Sequence, residues 1–121
     1  MYHCKREEHT MKINISVPAW GIQELTGYEP KTTFWQDFSI AERFGMAAIK
    51  DTFKRCFEEW KDDTVYATEL ALVLNWKCWA WHDLNREDIS GLYSDLFYEV
   101  QDYVYEHWDS EATNYYYRIT D

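Results

Sequence analysis

Apolar and polar positions alternate near the two ends of the chain and follow a helical period between them. In Lys12–Val17 every second position is a β-branched apolar residue, and Pro18 ends the run. This alternation is typical of a half-buried strand. Residues Ala112–Asp121 alternate more weakly, through Tyr115 and Tyr117. We therefore predict a small antiparallel β element that pairs the N-terminal and C-terminal segments.

Two helices are predicted in the first half of the chain. Ser39 and Glu42 form the capping-box pattern, in which each side chain satisfies a backbone N–H, so a helix is expected to begin near Ile40. Gly45 can interrupt this helix before a second segment, in which apolar residues recur at helical spacing as far as Lys61, with charged residues on the opposite side. The core positions of this amphipathic helix are Ile49, Phe53, Phe57 and Trp60.

Two longer helices follow. The first begins after Thr64 and is apolar almost all the way round its axis, which predicts the central and most buried helix. The second is predicted from about Arg86 to Trp108, with Asn85 and Asp88 able to cap its start. The apolar positions of the central helix are Leu70, Leu72, Val73, Leu74, Trp76, Trp79 and Trp81. Those of the second are Ile89, Tyr93, Leu96, Phe97, Val100, Val104 and His107.

The fold class that follows is mainly α (α+β). Three or four helices are expected around the central Trp-rich helix, with the small antiparallel β element beside them. A chain of 121 residues with 46% apolar residues is the size of one domain and can bury a core. We expect a single compact domain over residues 11–121. Residues 1–10 are polar and aperiodic, and we interpret them as a disordered leader upstream of a natural start at Met11.

Net charge narrows the classes of partner. The chain carries 22 acidic against 12 basic residues, a formal charge of −10. This charge repels nucleic acid and the anionic inner face of a membrane, so direct binding to either is not expected. A basic protein surface is the expected partner. No secretion signal or apolar run of bilayer length is visible, which predicts a cytoplasmic protein.

Cysteine usage is consistent with that compartment. The three cysteines, Cys4, Cys56 and Cys78, are an odd number and lack the spacing of a disulfide framework, which predicts free thiols. Cys56 and Cys78 are interpreted as buried structural residues.

An acidic face on the last long helix is the main candidate for function. Six acids recur at intervals of seven, four, three, four and three residues, which places them on one narrow face opposite the apolar one. We call this face the acidic ridge. Its members are Asp88, Asp95, Glu99, Asp102, Glu106 and Asp109. Tyr98 and Tyr105 lie beside it and could stack on arginine side chains of a partner.

Two interpretations of the acidic ridge are open. It is either a solvated helix face that keeps the protein in solution, as charged faces commonly are, or an anionic surface that binds a basic groove. Like charges one turn apart destabilise a helix by roughly 0.2–0.5 kcal/mol per pair, and no Lys or Arg lies between Asp88 and Asp109 to relieve them. Helix stability therefore does not explain the acids, and both interpretations stay open at this point.

No catalytic, metal or cofactor site is expected. Cys78 and His82 have a spacing that could place two metal ligands on one helix face, but two further ligands would be required. A nucleophile motif, a Gly-rich phosphate loop and a paired-carboxylate pattern are all missing from the sequence. The sequence predicts a protein that is not an enzyme, and it does not determine the oligomeric state.

The chain also resembles a known family along nearly its whole length after Met11. The stretches that carry the resemblance are INISVPAWGIQELTG (Ile13–Gly27), TFWQDFSIAERFG (Thr33–Gly45), AIKDTFKRCFEEWK (Ala48–Lys61), LVLNWKCW (Leu72–Trp79) and YYYRITD (Tyr115–Asp121). They are similar to a family of small acidic proteins of unknown function carried by phages and conjugative elements of gut Firmicutes. The resemblance brings no assigned functional residues.

Mobile elements of this kind carry small acidic proteins that block host defence nucleases, some of them by imitating duplex DNA with carboxylates. The resemblance and the acidic ridge together predict an anti-CRISPR or antirestriction protein, whose partner is a host defence nuclease or its guide complex. The alternative is an accessory interaction or regulatory protein of the mobile element, with no role against defence.

Overall fold

The computed structural model describes residues 34–120, except for the side chains of residues 118 and 119. The predicted leader (1–10) and the predicted strand Lys12–Val17 lie outside these residues. The described part forms five α-helices. In chain order they are α1 (Phe34–Ala41), α2 (Met46–Trp60), α3 (Thr64–Asp83), α4 (Glu87–His107) and α5 (Ser110–Thr120).

Helix α3 forms the centre of the fold, as its all-round apolar sequence predicts. It contacts each of the other four helices, most extensively α4. Leu70, Leu74 and Trp76 are 0% exposed. Asp63 caps its start, since its carboxylate accepts hydrogen bonds from the backbone N–H groups of Val65 (2.9 Å) and Tyr66 (3.3 Å).

Helices α2 and α4 bury the faces that periodicity predicts. Ile49, Phe53 and Trp60 of α2 are buried, and so is the predicted apolar face of α4 up to Val104, whereas His107 at its end is exposed. Gly45 begins α2 with φ 108°, a backbone conformation that side chains with a Cβ rarely adopt.

The end of α2 packs into an aromatic cluster. Trp60, 0% exposed, lies with its ring centroid 4.7 Å from that of Phe57, 5.4 Å from Tyr103 and 6.3 Å from Trp108. Most of these pairs are edge to face, the arrangement that aromatic quadrupoles favour. The cluster joins α2 to the C-terminal half of α4.

The predicted β element is not observed among the described residues. Ala112–Asp121, expected as a strand, instead belongs to α5 as far as Thr120. Ala112, Tyr116 and Thr120 are four residues apart and therefore share one helix face, and Tyr116 is 0% exposed on it. Burial of this face outweighs the weak alternation of the neighbouring tyrosines. The α+β assignment is thus wrong, and the described fold is all helical.

Two predicted helix caps are also wrong. Ser39 lies inside α1 and Glu42 just beyond its end, so they do not form a capping box. Arg86 occupies the cap position of α4 and makes no side-chain hydrogen bond that caps the helix, whereas Asn85 has φ 61° and precedes it. Ser39 and Glu42 instead accept hydrogen bonds from Lys77, and Asp88 pairs with Arg86.

The cysteine predictions hold in part. Cys56 is a free thiol and 2% exposed, and Cys78 is 0% exposed, so the burial predicted for both is confirmed. However, Cys78 is disulfide-bonded, so the expectation of a free thiol is wrong at that position.

Candidate partner-binding surface

The structure places five members of the acidic ridge on helix α4. Asp88, Asp95, Glu99, Asp102 and Glu106 are all exposed. The helix turns by 3.6 residues, so these positions fall within one narrow face opposite the buried side. From Asp95 to Glu106 this face is about 16 Å long at 1.5 Å per residue. The central part of the predicted ridge is therefore continuous in the structure.

The two ends of the acidic ridge have local partners. Asp88 accepts two hydrogen bonds from the Arg86 guanidinium, 3.1 Å from Nε and 3.0 Å from Nη2. The hydrogen bond from Arg86 is the main cause of a lowered Asp88 pKa. Asp109 lies beyond the end of α4, where its carboxylate accepts a hydrogen bond from the Ala112 backbone N–H (2.9 Å) at the start of α5.

The middle of the ridge has no such partners among the residues that the structure describes. Within residues 34–120, the side chains of Asp95, Glu99, Asp102 and Glu106 make no ion pair or side-chain hydrogen bond. We refer to these four as the ridge centre. Four exposed carboxylates one turn apart leave a strip of negative charge that the described part of the chain does not neutralise. Such a strip attracts cationic side chains of another molecule.

The two tyrosines predicted to flank the ridge are on the surface. Tyr105 is 71% exposed and Tyr98 37%. They are seven residues apart on α4, which places them on the same side of the ridge, two turns from each other. Exposed tyrosines next to carboxylates provide both a flat apolar face and a hydroxyl for contact with a partner.

An open groove between α2 and α4 lies along the other side of the ridge. Its volume is about 500 Å³. Helix α2 contributes Met46, Lys50 and Phe53 to its wall. Helix α4 contributes Asp88, Gly91, Leu92, Asp95, Leu96 and Glu99. Ridge carboxylates therefore form one rim of a groove whose floor is apolar. The sequence alone does not reveal this groove, because it requires the packing of α2 against α4.

A buried polar network joins the end of α1 to α3 and α4. The Glu42 carboxylate accepts hydrogen bonds from Lys77 Nζ (3.1 Å), Trp81 Nε1 (2.8 Å) and the Tyr93 hydroxyl (2.6 Å). Lys77 also donates to Ser39 Oγ at 2.8 Å. Three helices meet at this one carboxylate, because its donors come from α3 and α4 while Glu42 itself follows α1.

Burial sets the proton affinities in this network. Lys77 is 2% exposed, and its burial lowers the pKa of the ammonium, whereas the Glu42 carboxylate acts in the opposite direction. Burial and the same carboxylate both raise the pKa of Tyr93. Lys77 Nζ also lies 4.2 Å from the centre of the Trp35 ring, a cation–π contact. The network fixes the end of α1 against the core, and with it the turn that leads into α2.

Cys78 and His82, considered above as possible metal ligands, do not form a metal site in the described residues. Residues 34–120 contain no group of three His, Cys, Asp or Glu side chains that could hold a metal ion. His82 Nδ1 instead lies 3.4 Å from Glu87 Oε2.

In the described part of the chain, none of the helices combines the length and the apolar character needed to cross a membrane.

Comparison with known proteins adds no function. No family model matches the chain, and comparisons with curated proteins and with solved structures give no match either, so the resemblance to small acidic proteins of phages and conjugative elements stays a prediction.

Proposed function

We propose that this protein is a non-enzymatic anti-defence protein of a mobile genetic element, of the anti-CRISPR or antirestriction type. Its acidic ridge occupies the basic DNA-binding groove of a host defence nuclease or of its guide complex, in the host cytoplasm. The observation that carries the proposal is the ridge centre, four exposed carboxylates on one helix face with no cation paired to them in residues 34–120. The genomic setting comes from the family resemblance.

The spacing of carboxylates along the ridge centre is close to, but wider than, the spacing of phosphates along one DNA strand. The ridge centre presents a carboxylate about every 5 Å of helix axis, whereas a DNA strand carries one phosphate per roughly 3.4 Å. Two-thirds of the linear charge density of one strand is enough to attract Arg and Lys side chains arranged for phosphates. The tyrosines beside the ridge add contact area that phosphates lack.

Charge reversal at the centre of the ridge tests the proposal. In the variant with Glu99→Lys and Asp102→Lys, two repulsive neighbouring pairs, with Asp95 and Glu106, become attractive. The helix should then be more stable by roughly 1 kcal/mol, since each such pair contributes about 0.2–0.5 kcal/mol of either sign. Binding to the partner should be lost nevertheless. A variant that is more stable but no longer binds would show that the acidic ridge is a binding surface. A merely solvated helix face would not lose binding.

The matched control reverses two exposed acids on another helix. Asp51→Lys with Glu59→Lys on α2 produces the same change in net charge away from the ridge. Pull-down of the tagged full chain from lysate of a gut Firmicute, at low and high salt, identifies the partner by mass spectrometry. We expect the partner to be a basic nuclease or its guide complex. High salt and added duplex DNA should each release it from the protein. It should bind the control variant but not the variant with Glu99→Lys and Asp102→Lys. Equal binding by both variants would refute the proposal.

A second candidate function has its own structural support. Phe44, in the turn between α1 and α2, is 75% exposed, and Ile40, in the last turn of α1, is 53% exposed. An exposed apolar corner of this kind favours an accessory interaction protein of the mobile element, whose interface is apolar. Its partner would be encoded by the element and would remain bound at high salt, and Phe44→Ser would release it.

A further inference from the structure

The groove between α2 and α4 has the shape that receives a helix. Its α2 wall is built from residues one turn apart, Met46, Lys50 and Phe53, and its α4 wall extends from Asp88 to Glu99. The eleven residue steps from Asp88 to Glu99 span about 16 Å, the length of three turns of a helix. Two neighbouring helices with regular side-chain rows offer a partner helix a surface for ridge-into-groove packing.

The floor of the groove is apolar and remains open. Leu92 and Leu96 are each 7% exposed, and Phe53 is 5% exposed, so they form a packed base, whereas Met46 at the wall is 38% exposed. Gly91 lies on the α4 wall, and a Cβ added there would meet no atom within 4 Å. The absence of a side chain at this position leaves space for the side chain of another molecule.

The rim of the groove is charged mainly with one sign. Asp95 and Glu99 belong both to the groove and to the ridge centre, and Lys50 is the single cation among the described lining residues. Asp88 is already paired with Arg86. A partner that places apolar side chains on the floor must therefore present cations to the α4 rim. Apolar residues on one face with basic residues beside them define a basic amphipathic helix.

We propose that this groove binds a basic amphipathic helix of the partner protein, with its apolar face on Leu92 and Leu96 and its Arg or Lys residues on Asp95 and Glu99. The inference rests on the proposed function, since it identifies the part of the basic partner that the acidic ridge contacts. It goes further because simple phosphate mimicry needs no apolar contact. The partner must then offer a helix, and not only a positively charged channel.

The test uses two synthetic peptides and two substitutions at one residue. One labelled 18-residue peptide has Leu at helical spacing and Arg between, and the second has the same composition in scrambled order. Fluorescence anisotropy measures their binding to the full chain and to two variants. Gly91→Phe fills the groove without changing any charge, and Gly91→Ala is the matched control. Melting curves establish that each variant is folded.

The proposal expects the amphipathic peptide to bind the natural chain at least about tenfold more tightly than the scrambled one, a difference of 1.4 kcal/mol. Gly91→Phe should remove this preference, and Gly91→Ala should keep it. If Gly91→Phe does not fold, Met46→Gln on the opposite wall takes its place. Equal binding of the two peptides, or an unchanged preference in the filled groove, overturns the inference.

The two proposals fail in different ways. If the partner found by pull-down still binds Gly91→Phe but not the variant with Glu99→Lys and Asp102→Lys, the ridge acts by charge alone and only the groove inference is wrong. If the amphipathic peptide prefers the natural groove but no DNA-binding partner is recovered, the proposed anti-defence function is wrong and the groove remains.

Discussion

Removal of the Glu42 carboxylate is the perturbation for which the structure predicts the largest effect. Glu42 is the shared acceptor for Lys77, Trp81 and Tyr93, and its side chain is 13% exposed against 3% for that of Lys77. In Glu42→Ala the Lys77 ammonium stays buried and keeps only the hydrogen bond to Ser39 and the Trp35 ring. The Tyr93 hydroxyl, in a residue 0% exposed, also loses its acceptor.

The magnitude can be bounded from both sides. Breaking a buried ion pair by removing one partner costs about 3–5 kcal/mol, and a buried hydroxyl without an acceptor adds about 1–3 kcal/mol. The Lys77 ammonium can also lose a proton and become a neutral amine, which removes the unpaired charge. From the ordinary pKa of 10.5, neutralisation at pH 7 costs at most about 5 kcal/mol. We therefore expect Glu42→Ala to lower the free energy of unfolding by about 4–8 kcal/mol, which is comparable with the whole stability of a small domain.

The pH dependence of this loss has a definite sign. Burial places the Lys77 pKa in the folded chain below that in the unfolded chain, so between the two values the unfolded chain binds more protons. Stability then rises with pH in that window. In Glu42→Ala the window widens because the carboxylate no longer opposes the effect of burial. The variant should thus recover part of its lost stability as the pH rises toward 10.5, the ordinary pKa of a lysine.

A double-mutant cycle provides the assay. Urea unfolding followed by circular dichroism and Trp fluorescence is measured for Glu42→Ala, Lys77→Met and the double variant. Lys77→Met should cost less than Glu42→Ala, since Glu42 keeps the donors Trp81 and Tyr93. The double variant should cost less than the sum of the single ones, because neither charge is left unpaired. A loss below about 1 kcal/mol in Glu42→Ala would falsify the assignment of this carboxylate as the organising acceptor.

Three further predictions concern single positions. Gly91→Ala should raise the free energy of unfolding by up to about 1 kcal/mol, since Gly is a poor helix former and its site is open; thermal melting checks this. Asp63→Ala should lower it by about 1 kcal/mol through loss of the α3 cap, measured in the same way, and an unchanged midpoint would contradict the cap. Burial raises the pKa of the Cys56 thiol from 9.0 to about 12, so above pH 9 the unfolded chain releases a proton that the folded chain keeps. Stability should fall there by up to about 1.4 kcal/mol per pH unit, and this slope should disappear in Cys56→Ala, for which urea unfolding at pH 8–10 is the measurement.

Periodic positions account for the parts of the fold that sequence predicts well. The apolar stripes of α2 and α4 and the apolar surface of α3 follow helical spacing over fifteen residues or more, and each lies in the core. The same period places Asp95, Glu99, Asp102 and Glu106 on the surface opposite it. Periodicity works here because a long helix with one apolar face has a single way to bury that face.

Short and tyrosine-rich segments are where the prediction is wrong. Residues Tyr115, Tyr116 and Tyr117 are identical side chains in a row, so an alternating pattern and a helical pattern fit them almost equally well. Packing of Tyr116 into the core decides for a helix. Asp109 shows the same limit on a smaller scale, since its seven-four-three spacing continues the ridge in sequence while the backbone has already left α4 to begin α5.

The sequence by itself determined the helical character, the central position of α3 and the acidic ridge, because each depends on spacing between residues close along the chain. Only the tertiary structure decided the role of Lys77. A lysine is ordinarily expected at the surface, but this one is buried and pairs with Glu42, 35 residues away. It also formed the groove from α2 and α4 and placed ridge carboxylates on its rim. Pairing of this kind depends on how helices pack in three dimensions, and local periodicity contains no information about which distant side chains meet.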